Sequence, residues 1–229
     1  MAWLRFILYF LLISAIFYVF AWLGVTFPGS LKMQVFDSAA GALGTSEYSP
    51  VEMVQALVVA LCCLLMGWVA LEYPGQRPLA FLFGGVAVVY LIRELGFFLD
   101  LYVVRNLWQV LIAVAVSLVI AYTYRHRLRL KIALARIWPS PAMVLMFSGA
   151  VILFSVVRVV ADESLWQSLM GENYRRVVKV TVEELVELLG FLFWLAGSVE
   201  YAFQAHVLGT REPQPAAVRR RDTRLGRRS

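Results

Sequence analysis

Residues 177–205 read VVKVTVEELVELLGFLFWLAGSVEYAFQA, and the fold turns on what is made of them. The second half is apolar enough for lipid, yet Glu183, Glu184 and Glu187 crowd the first half. A charge at the centre of a bilayer is costly, so a spanning helix that keeps several acids has a structural or chemical use for them. Either the run is a helix of a soluble protein, or it is a span with a polar task.

Composition decides between the two. Of 229 residues 61% are hydrophobic and only 16% charged, with a mean hydropathy of +0.75. A soluble domain carries about a quarter charged residues. The chain therefore reads as an all-α integral membrane protein. Six stretches, near 3–27, 51–71, 79–100, 103–123, 141–161 and 177–205, are long enough to cross, since roughly 30 Å of hydrocarbon takes about 20 helical residues. The first is too long for a signal-peptide core and no small-residue cleavage site follows it, so it is expected to be a retained helix. Pro28, Pro50, Pro74, Pro78, Pro139 and Pro141 fall between the stretches or at their ends, where helix breakers belong. No alternation runs long enough for a barrel, and an open sheet would leave its backbone unsatisfied in lipid.

The distribution of Lys and Arg sets the orientation. With the N-terminus inside, the inner segments hold fourteen basic residues, among them Arg5, Arg77, Arg125, Arg127, Arg129, Lys131, Arg136 and seven in the tail. The outer segments hold five: Lys32, Arg105, Arg175, Arg176 and Lys179. This predicts a six-helix domain over 1–210 with both termini cytoplasmic, in a bacterial-type inner membrane, followed by a basic disordered tail over 211–229. The tail suits the anionic lipid surface. The net charge of +6 needs no nucleic acid to explain it, because the basic residues sit where topology would put them.

In that orientation the intramembrane polar groups converge on the outer leaflet. Arg93 and Glu94 come late in the third stretch, and Glu52 and Gln55 begin the second. Arg105, Asn106 and Gln109 lie at the start of the fourth, and Arg158 and Asp162 at the end of the fifth. Glu183 and Glu187 are about 40° apart on a helix and share a face with Gly190, Trp194 and Gly197. Ser148, Ser155, Arg158 and Asp162 are spaced as one polar stripe. Each of these faces is expected to point into the bundle. Glu52, Glu94, Glu183, Glu184 and Glu187 make five acids against two deep arginines, Arg93 and Arg158. At least one acid should then carry a proton, meet a cation or reach water.

Several chemistries fail on counting. A zinc enzyme wants His or Cys ligands, and the two histidines, His126 and His206, are expected at the cytoplasmic side, away from the acids. Carboxylate di-iron bundles use Glu-x-x-His pairs, and none occurs. A Ser-His-Asp triad lacks its His. Cys62 and Cys63 sit mid-span and read as small apolar groups. No cofactor is expected, though a carboxylate-bound cation fits the acids. Three functional classes stand. One is binding or transport of a cation or a proton-coupled small solute at Glu52, Gln55, Arg93, Glu94, Gln109, Arg158, Glu183, Glu184 and Glu187. Another is an enzyme acting on a lipid or polyprenyl head group, with Glu94 and Glu187 as acid and base. The last is a scaffold whose polar faces meet another membrane protein.

Overall fold

The structure, a computed structural model, describes residues 2–27 and 49–211. It is 90% helical and the described residues contain no strand. In chain order the helices are α1 (Ala2–Thr26), α2 (Pro50–Glu72), α3 (Arg77–Glu94), α4 (Gly96–Tyr102) and α5 (Leu107–Arg125). They continue with α6 (Arg127–Ile137), α7 (Pro141–Val151), a π-helical turn (Ile152–Val156), α8 (Val157–Val160), α9 (Glu163–Met170) and α10 (Arg176–Arg211).

Helix starts follow local chemistry. Pro has no amide hydrogen to lose at a first turn, and it opens α2 and α7 and lies in the first turn of α3. The hydroxyl of Ser49 accepts from the Glu52 amide while the Glu52 carboxylate accepts from the Ser49 amide, a reciprocal capping box. Ser140 caps α7 in the simpler way, accepting from the Met143 amide.

Among the described residues four segments are long and apolar enough to cross a membrane: Trp3–Thr26, Pro50–Glu72, Leu107–Arg125 and Pro141–Val160. The other two expected stretches are also helical, with differences. The 79–100 stretch breaks at Leu95 into α3 and α4, and α3 carries Arg77, Arg93 and Glu94 within its 18 residues. The 177–205 stretch is the middle of α10, which runs for 36 residues. The segments expected to be plain connections hold α6 and α9. The expectations for the 28–48 connection and for the basic tail beyond 211 lie outside the described residues.

Helix α10 is the hub. It packs on α7, α2, α8 and the π turn, while α3 packs on α2 and α5. Two apolar cores are stacked along it. One gathers Met66, Leu79, Ile137, Met143, Met146 and Tyr201. The other gathers Val51, Val59, Phe20, Leu153, Leu188 and Phe191. Phe83 joins them, its ring edge-on to both Trp194 and Tyr201. Glycines set the closest approach. A Cβ on Gly149 would lie 2.7 Å from the Gly190 carbonyl oxygen, and one on Gly197 would lie 2.9 Å from the Met146 nitrogen. Small residues let apolar helices meet backbone to backbone where lipid leaves no hydrophobic drive between them. By contrast α5 has no buried residue, and α1 buries only Phe20. Both turn apolar side chains outward, as a lipid-facing helix does.

Candidate functional site

The start of α2 and the end of α3 meet the first turns of α10. Arg93, in the last turn of α3, donates from Nη2 to both carboxylate oxygens of Glu187 at 2.6 Å. The neighbouring Glu94 lies 3.3 Å from Arg93 Nε through Oε1, an ion-pair contact whose alignment is not that of a hydrogen bond. Exposure of the side chains separates the partners: 39% for Arg93, 6% for Glu94 and 10% for Glu187. Tyr90, one turn before Arg93, places its ring 5.6 Å from the guanidinium carbon and packs its edge on Phe191. One cation therefore serves two sheltered acids, with an aromatic face beneath it.

Glu184 lies beside this group and is held from α2. Ser49 donates its hydroxyl to the Glu184 carboxylate at 2.8 Å, and Gln55 Nε2 donates to the Glu184 backbone oxygen at 2.6 Å. Gln55 is buried, and its own Oε1, like Glu94 Oε1, has no hydrogen-bond partner among the described residues. Glu52 closes the capping box. Glu183 points elsewhere, to Lys179 one turn earlier, at 3.1 Å. Of the nine expected residues, Arg93, Glu94, Glu187, Glu184, Gln55 and Glu52 are thus gathered where α2, α3 and α10 meet.

Gln109 and Arg158 are not. Gln109 is exposed in the first turn of α5, a peripheral helix, and neighbouring Asn106 serves as its N-cap in the left-handed region at φ 63°, with its amide bonded to Asp100. Arg158 is exposed on α8. A helix has one inward face, and the close approach at Gly149 gives it to Met146, Leu153 and Val157, which are buried. The Ser148–Ser155–Arg158–Asp162 stripe is left on the outward side. Asp162 instead caps α9, accepting from the Ser164 amide and hydroxyl. Those two bonds hold its carboxyl below the ordinary range. Its cap is therefore in place at neutral pH and is lost only as pH falls through that lowered value.

No family model, curated protein or solved structure matches the chain. The chemistry has to be argued from the geometry alone.

A second charged contact was missed by the sequence reading. Glu200 of α10 is 1% exposed and accepts from Arg5 Nε at 2.7 Å, Arg5 Nη2 at 3.1 Å and the Tyr9 hydroxyl at 3.0 Å. The Arg5 guanidinium also lies over the Phe203 ring at 4.2 Å. In the sequence Arg5 reads only as a charge that orients α1. Its spacing to Tyr9, one helical turn, was the available signal. Ser49 was a further omission, although Ser-Pro-Val-Glu over 49–52 has the form of a capping box. Among the described residues no group of three or more His, Cys, Asp or Glu is placed to hold a metal ion.

Proposed function

We propose that the chain is a multi-pass protein of a bacterial-type inner membrane, with six helices crossing it and both termini cytoplasmic. In this reading the Arg93–Glu94–Glu187 cluster opens toward the outer leaflet and binds or carries a cation or a proton-coupled small solute. The observation that supports it is the charge count around Arg93. Glu187 takes two hydrogen bonds from the guanidinium, whereas the equally sheltered Glu94 leaves its Oε1 without one. A second ionised carboxylate there has no counter-charge of its own, and low dielectric magnifies that imbalance. A proton or an incoming cation restores neutrality, and its departure reloads the site. Six crossings are supported by the four long apolar helices together with α3 and α10, which pack among them.

The test is proton uptake by proteoliposomes after an acid jump, read with an enclosed pH-sensitive dye. Glu94→Gln and Glu187→Gln are each expected to reduce uptake to the level of empty vesicles. Uptake at the wild-type rate in both variants would overturn the reading.

A second reading rests on the exposure of Arg93. Its side chain is 39% exposed while both acids are covered, so in this reading it receives the phosphate of a lipid or polyprenyl head group. Glu94 and Glu187 would then act as acid and base, and release of a labelled head group by the purified protein is the readout.

A further inference from the structure

Helix α9 has no counterpart in the site or in the bundle core. Only Ala161 and Asp162 separate it from the end of the apolar Pro141–Val160 segment, so it begins where that segment leaves the hydrocarbon. Its eight residues, ESLWQSLM, divide cleanly. Leu165, Leu169, Trp166 and Met170 fall on one arc of about 140° and Glu163, Ser164, Gln167 and Ser168 on the opposite arc of about 140°, at 100° per residue. Yet none of the eight is buried, and Leu169 is 70% exposed. The Trp166 indole donates to the Val160 carbonyl at 2.6 Å, which fixes α9 against the last turn of α8. After the helix comes a 3-10 turn, Gly171–Asn173, and then the exposed basic pair Arg175 and Arg176.

We propose that α9 lies in the membrane interface, its apolar arc turned into the bilayer and its polar arc toward the head groups and water. Two features commit the site to a lipid surface. The helix is continuous with a membrane-crossing segment, so its depth is set near the head groups. Its arc is of the kind that settles about 5–10 Å into the headgroup and acyl boundary. The placement holds for either face of the membrane and is independent of the chemistry at Arg93.

The test is spin labelling of the full chain in vesicles of mixed zwitterionic and anionic phospholipid. Single cysteines are placed by Gln167→Cys or Leu169→Cys in a Cys62→Ala, Cys63→Ala background, and collisions with oxygen and with a water-soluble nickel chelate are compared. A several-fold higher oxygen-to-nickel ratio at 169 than at 167 is expected. Equal ratios at 167 and 169 would make α9 a solvated connection and overturn the proposal. Protection of 169 from both reagents would overturn it too, since a second copy or another protein would then cover the arc. Leu165→Cys carries the same label on the same arc if Leu169→Cys does not yield folded protein.

Discussion

Helix α10 makes two buried ion pairs, and they are built on opposite plans. At Glu200 one acid meets one arginine, and the Tyr9 hydroxyl and the Phe203 ring complete its surroundings. Charge is balanced and both oxygens of the acid are used. At Glu187 the arginine is shared with Glu94, whose Oε1 is left without a hydrogen bond. The first arrangement suits a fastening. The second holds a surplus acid, which a fastening has no use for. What separates the two pairs is the count of partners, since burial is similar in both.

The largest expected effect strikes the fastening. Arg5→Ala leaves Glu200 buried without its cation, and removing one member of a buried pair costs about 3–5 kcal/mol. Thermal unfolding of the purified variant should show this loss. Arg5→Met combined with Glu200→Leu should recover most of it. An unchanged melting temperature in Arg5→Ala would erase the contrast between the pairs.

Next comes a perturbation between them. Gly149→Ala drives a methyl group against the backbone of Gly190 and Trp194, at 2.7 Å from the carbonyl oxygen and 3.0 Å from the nitrogen. Backbone yields poorly, so a loss of about 1–3 kcal/mol is expected from overpacking. Denaturant titration would measure it. Stability equal to wild type would mean that α7 and α10 are held mainly by polar contacts.

Glu94→Gln is expected to change stability by less than about 1 kcal/mol, the net size of one hydrogen bond, because Glu94 Oε1 gives up no hydrogen bond. Infrared difference spectra should lose one exchanging carboxyl signal in this variant. A destabilisation as large as that of Arg5→Ala would make Glu94 a second fastening. Smallest of all, Lys179→Ala removes a partner one turn from Glu183, an arrangement worth about 0.3–0.5 kcal/mol. A larger loss in the same unfolding assay would draw Glu183 into the buried cluster.

Hydrophobic runs made the helices legible, because length and apolarity are local properties. That Arg93 would meet acids was legible for a similar reason, because charges in apolar helices have few other partners, but which acid it would hold was not. Which face of a helix turns inward was harder to read. For the α7–α8 segment the polar stripe ending at Asp162 had the right spacing, but Gly149 fixes the inward side through its approach to Gly190, and this depends on a helix distant in sequence. Arg5 was misjudged because a basic residue near a helix end serves topology and pairing alike. The amphipathic division of α9 is present in the sequence, but over so few residues it was passed over as a connection.

The length of α10 has a mechanical consequence. Its 36 residues make a rod of about 54 Å at about 1.5 Å per residue. Glu187 and Glu200 are about 20 Å apart along that rod and about 140° apart around it. Each grips a different helix, α3 at one height and α1 at the other. A twist of the rod that carries Glu187 away from Arg93 therefore applies torque at Glu200 as well, pulling on Arg5 and Tyr9 from the far side. The two grips are ganged on one shaft, so release at one end is felt at the other with no wire of intervening side chains.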